Sequence, residues 1–188
     1  MKINNIPASS LLKSVAAFLF LLVLFPANSM GNEKVIRLYH DADWSNHEES
    51  AESIWRGVET ALSEIGHTIQ GHRFELVKKD HRGNVIRSLS NFKAFLKDDL
   101  ALAVISGIHS PPLIKNRKFI NENKALTLVP WAAGGPITRY PSKENWIFRL
   151  SVDDTKAGSV LANFALNAKS CIAPHLLLEN TPWGDSNL

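Results

Sequence analysis

The sequence predicts an α/β fold, a parallel sheet flanked by helices. Short apolar runs of strand length alternate with amphipathic runs of helical spacing, and Gly, Pro or Asp punctuate the junctions. Val35–Tyr39 reads as a buried strand, and the polar segment Asp41–Ser50 as the loop after it. Ile54, Val58, Ala61 and Ile65 recur at steps of four, three and four, which places them on one helix face, and Gly66 stands where such a helix ends. Phe74–Val77 is the next strand. Val85, Leu89, Phe92 and Leu96 repeat the helical spacing. The apolar run Ala101–Ile105, bounded by Ser106-Gly107, fits a strand buried on both faces.

Pro111-Pro112 can open a helix but not continue one, so Leu113–Asn123 reads as a helix behind them. Leu126–Val129 is a strand, Trp131–Glu144 a long loop and Ile147–Leu150 a short strand. Asp153-Asp154-Thr155 supplies capping side chains before Val160, Leu161 and Phe164, and His175–Leu178 reads as a final strand. Strand-helix alternation with buried strands means right-handed crossovers, and ligands in such sheets bind at the carboxyl ends of the strands. After Leu178 the segment Glu179–Asp185 reads as a loop with no covering helix, so the sequence is expected to be a truncated one.

Residues 1–29 are expected to be a cleaved signal peptide: Lys2 and Lys13 precede the 11-residue apolar run Val15–Phe25, and small residues follow it. That run is short of the about 20 residues a membrane-crossing helix needs. Cleavage after Ser29, with Ala27 at the −3 position, is preferred over cleavage after Gly31. Without the leader the 21 basic and 18 acidic residues become 19 and 18, a near-neutral chain with no basic stripe for nucleic acid. Cys171 is the single cysteine, so no internal disulfide forms and stability must come from a packed core.

Chemistry-bearing patterns are sparse. Asp41, Asp43, Ser45 and Glu52 fall at calcium-loop offsets, with His47 and Glu48 among them, but Asn46 stands where glycine is required and a strand precedes the loop. The seven histidines are scattered without an i, i+4 helical pair, and no second cysteine completes a thiolate site, so no metal is expected. No nucleophile elbow, dinucleotide motif or P-loop is present, and no catalytic constellation emerges. Two loops stand out. Ser106–Pro112 follows a strand and leads into a helix start, offering a hydroxyl and backbone N–H groups to an anion. Pro130–Pro136 ends in small residues that let backbone approach a ligand, with Trp131 as either core or pocket wall.

The order of elements, together with VISGIHSPPL (104–113), LTLVPWAAGGPITR (126–139), NWIFRLSVDDTKAG (145–158) and LLLENTPWGDSN (176–187), resembles the periplasmic solute-binding proteins of the leucine/isoleucine/valine-binding family. The resemblance implies a type I periplasmic-binding fold with two hinged lobes, of which residues 33–150 are lobe one and 151–188 the beginning of lobe two. It implies an exported, periplasmic solute-binding component of an ABC-type importer that takes up an amino acid or related small carboxylate or amide by lobe closure. A membrane permease is the implied partner, and no cofactor, metal or bond chemistry is involved. By the same resemblance Ser110 holds a ligand carboxylate with the backbone of Ile108 and His109 beside it. Trp131, Ala132 and Ala133 form the loop that contacts carboxylate and ammonium, Trp183 is an aromatic closing over the ligand, and Ser50 lies near another pocket position. Ala133 replaces the family's threonine and Trp131 an alanine, which leaves side-chain specificity open. A ligand-sensing receptor domain of the same fold is the alternative, and a secreted hydrolase a third reading.

Overall fold

The structure is a computed structural model in which residues 34–187 are described. The expected signal peptide lies outside these residues. No helix among them is long and apolar enough to cross a membrane.

Among the described residues six strands form one sheet, in the order β2 (Thr68–Ile69), β3 (His72–Asp80), β1 (Lys34–Ala42), β4 (Ala101–Ser106), β5 (Thr127–Val129), β6 (Ile147–Arg149). β1, β3, β4, β5 and β6 all run parallel. β1 is central: it pairs with β3 from Lys34↔His72 to Ala42↔Asp80, and with β4 from Leu38↔Ala103 to Asp41↔Ser106. The exception to the parallel pattern is the two-residue β2 (Thr68–Ile69), antiparallel to the start of β3. Gln70 (φ 50°) and Gly71 (φ 76°) join them, and two successive positive φ values match the twist of a two-residue hairpin.

The crossover helices are α1 (Glu48–Glu64), α2 (Val85–Phe95) and α3 (Ser110–Glu122), followed by α4 (Asp154–Lys169) and the single turn α5 (Pro182–Asp185). Their ends follow local chemistry. Glu48 and Glu49 occupy the first turn of α1, where the helix dipole favours carboxylates, and Gly66 (φ 63°) follows its last turn. The Asn84 side chain accepts from the Ile86 and Arg87 N–H groups to cap α2, and Asp153 accepts from Thr155 to cap α4. Pro111 and Pro112 sit inside the first turn of α3, where a missing N–H leaves no helical bond unmade. The main core joins Tyr39, Phe92, Val104, Leu113, Ile120, Val129 and Ile147 from the strands and α2–α3, and a smaller cluster packs Trp44 and Trp55 around Ala42 and Ala51.

Two expectations are corrected. His175–Leu178 is not a strand: no pairing is made there, and Leu176 and Leu177 are exposed. An apolar run of strand length becomes a strand only when a neighbouring edge accepts its backbone, and this one finds none. Glu179–Asp185 is not loop throughout, because the Thr181 hydroxyl accepts from Gly184 N–H and caps α5.

Candidate functional site

Four connections leave the carboxyl edge of the sheet beside one another. The first, after β1, folds on Asp43, which is 3% exposed. Its carboxylate accepts from the Asn46 backbone N–H at 2.9 Å, from the Asn46 amide at 3.1 Å and from His47 Nδ1 at 3.1 Å. Burial alone raises the Asp43 carboxyl, but these hydrogen bonds outweigh it and hold the group below the usual carboxylate range. The β3–α2 connection brings His81, whose Nδ1 accepts from Gly83 N–H at 3.0 Å. Burial, aided by the neighbouring His109, pushes the His81 imidazole down to about 4.

The β4–α3 connection requires Gly107. A Cβ there would lie 2.9 Å from Ala42 Cβ, so only glycine lets the chain pass over the end of β1. His109 follows, half-buried, its ring edge-on to His47 at 4.6 Å and to His81 at 5.7 Å between centroids. Burial and the nearby His47 lower its pKa. Ser110 opens α3 and is 4% exposed, and its Oγ accepts from Gly134 N–H at 3.1 Å, which leaves its O–H free to donate. The adjacent prolines remove two amides that a helix start otherwise presents to an anion.

The β5–β6 connection is held from behind. Arg149 Nη1 donates to the carbonyls of Ala133 (3.1 Å) and Gly134 (2.8 Å), and its Nη2 pairs with Asp153 at 2.7 Å. Arg139 also pairs with Asp153. The same segment turns Trp131 outward: at 52% exposure it is a wall and not core.

These connections and α5 enclose a cleft of about 740 Å³. Of the residues singled out in the sequence, Ile108, His109, Ser110, Trp131, Ala133 and Trp183 line it together. Trp183 is fixed by its Nε1–H, which donates to Asp154 Oδ2 at 2.5 Å. Ala132 and Ser50 are not brought to the lining. Ala132 is 1% exposed and its carbonyl accepts from the Ser151 hydroxyl, while the Ser50 hydroxyl donates to the His47 carbonyl on α1. Sequence reasoning missed Glu179 and Thr181, and Asp43 and His47 as members of this lining. The calcium-loop set is dispersed: Asp41 binds Ser88 and Asn91, and Glu52 pairs with Arg56. The cleft therefore presents two carboxylates, Asp43 and Glu179, and no lysine or arginine among its described lining.

The periplasmic binding protein family model matches residues 43–186. The chain belongs to this family. Solved structures share the fold. A leucine-binding protein of Thermotoga maritima superposes with a TM-score of 0.63 at 19% identity, covering 72% of this chain and 38% of that one. An ABC transporter substrate-binding protein of Desulfitobacterium hafniense in complex with leucine gives 0.66 at 19% identity, covering 82% and 45%. A solute-binding protein of an ABC transporter from Rhodopseudomonas palustris in complex with 3,4-dihydroxybenzoic acid gives 0.68 at 16% identity, covering 81% and 41%. The chain thus spans less than half the length of these structures. No curated protein matches it. The mostly parallel sheet flanked by helices is the type I periplasmic-binding fold expected from the sequence.

Proposed function

We propose that this chain is part of the exported solute-binding component of an ABC-type importer, which captures an amino acid or related small carboxylate or amide in the periplasm and delivers it to a membrane permease. Residues 33–150 constitute lobe one and residues 151–188 begin lobe two. Ligand selects the closed arrangement because both lobes then touch it, so binding is coupled to recognition without bond chemistry. The observation that carries this reading is Ser110, whose buried Oγ is anchored by Gly134 N–H while its O–H remains to bind an acceptor in the cleft. The cleft volume of about 740 Å³ suits a small solute. Trp131 and Trp183 offer flat faces, which fits a planar ligand as well as an aliphatic one.

The test is a thermal-shift and calorimetric screen of the full-length protein with leucine, other amino acids, their amides and 4-hydroxybenzoate. One class is expected to stabilise the protein, by about 2.7 kcal/mol at a hundred times its dissociation constant. Silence across all four classes refutes the ligand assignment. Uptake of the hit solute by cells lacking the gene tests the importer role: transport at the wild-type rate overturns it.

A further inference from the structure

Two side chains of the β1–α1 connection meet a third, far away in sequence, at the cleft wall. Asp43 leaves β1, His47 stands four residues on at the start of α1, and His109 arrives from the end of β4. One ligand atom from each lies within 4.8 Å of the other two. We propose that Asp43, His47 and His109 bind a divalent transition-metal ion, of the zinc or cobalt type, at the wall of the cleft.

Two imidazoles and a carboxylate are the donor set that borderline divalent ions prefer, and three protein ligands leave a coordination position open. Donor-to-metal distances of about 2.0–2.1 Å place ligand atoms roughly 3–3.5 Å apart, and the His47–Asp43 pair already stands at 3.1 Å. The remaining closure is between that pair and His109, and it needs only a small adjustment of His47, whose side chain is 50% exposed. His109 carries the second, independent indication. Its Nδ1 is buried with no hydrogen-bond partner among the described residues, a costly state for a polar atom that donation to a metal relieves. The surroundings are arranged as supports. His81 packs edge-on against His109, and the Asn46 backbone N–H and amide both donate to Asp43 Oδ1, orienting the carboxylate.

Electrostatics point the same way. Asp43 and Glu179 line the cleft and no lysine or arginine does so among the described residues, so the wall attracts a dication. Once bound, the ion turns its open position toward the cleft and provides the positive charge that a carboxylate or other oxygen ligand lacks there. The metal arm is independent of the solute reading above, because it is measured with metal alone.

Metal-free full-length protein is titrated with Zn²⁺ by calorimetry and with Co²⁺ by visible absorption. Expected is one equivalent bound with ligand-field bands of nitrogen and oxygen donors. His47→Gln and His109→Gln are each expected to weaken binding by more than about tenfold, while His72→Gln, on β3 away from the cleft, leaves it unchanged. Asp43→Asn also replaces one of the two oxygens that accept from Asn46 and His47 with a donor, so the two histidine variants decide the matter, with circular dichroism confirming that they fold. No stoichiometric binding, or binding that survives both histidine variants, overturns the site and leaves the solute reading standing.

Discussion

Replacing Asp153 by alanine tests how the cleft wall is held. Asp153 is 9% exposed and closes three interactions at once: it caps α4 through Thr155 N–H, pairs with Arg149 at 2.7 Å and pairs with Arg139. Loss of the cap costs about 1 kcal/mol. The Arg149 side chain is 7% exposed, so removing its partner leaves a buried charge satisfied only by two carbonyls, at about 3 kcal/mol. Arg139 is 52% exposed, and its share is below about 1 kcal/mol after solvent screening. The sum is about 4 kcal/mol, or a fall in melting temperature on the order of 10 °C. Urea denaturation of the full-length protein measures it. Because Arg149 also holds the Ala133 and Gly134 carbonyls, ligand affinity falls with stability, and the double variant Asp153→Ala/Arg149→Leu recovers part of the loss by removing the stranded charge. A loss under about 1 kcal/mol in Asp153→Ala, or a double variant worse than the sum of its singles, refutes the argument.

Burial alone raises the Asp153 carboxyl, but the bonds from Arg139, Thr155 N–H and Arg149 hold it well below the usual range. The unfolded chain therefore takes up a proton near pH 4 that the folded chain refuses, and this part of the stability is present above about pH 4 and lost as the pH falls below it; a denaturation series in acid is expected to show a steeper loss for wild type than for Asp153→Ala. Ser110→Ala is expected to weaken ligand binding by roughly ten- to a hundredfold, since a hydrogen bond to a charged group is worth about 1.5–3 kcal/mol; calorimetry showing unchanged affinity reduces Ser110 to a partner of Gly134. Trp131→Ala is expected to alter the ranking of ligands in a thermal-shift screen while stability holds, because the side chain is half-exposed; a collapse of stability with the ranking intact contradicts its place as a wall. Gly107→Ala is expected to destabilise by about 1–3 kcal/mol as its Cβ meets Ala42, and melting at the wild-type temperature would show that the crossing has slack.

Periodicity made the helices readable. Ile54 of α1 and Phe92 of α2 are buried as their spacing requires, but Ala61, Ile65 and Leu96, placed on the same faces, are exposed, and Leu62 and Phe95 are buried instead; the apolar run of β4 is buried over Ala103–Ile105. β2 escaped notice because two residues carry no period, and its hairpin is written only in Gln70-Gly71. The run His175–Leu178 misled because apolarity reports strand length and not the presence of a partner edge. In the cleft, Ser110 and Trp131 were visible because each follows a strand at its carboxyl end, where ligands gather. The meeting of His47 with His109 was not, because sequence spacing cannot show which separate loops the sheet order places side by side.

The hairpin of β2 bears on how the chain behaves among its own kind. β3 is nine residues long and lies at the flank of the parallel sheet, yet β2 pairs only with His72 and Arg73. Past that point the flank is guarded by side chains: Glu75, Lys78 and Lys79 place charge along a border that an incoming strand would have to desolvate. A short hairpin and a charged border together disfavour the pairing of a further strand along this edge, because an incoming backbone would have to strip water from those charges.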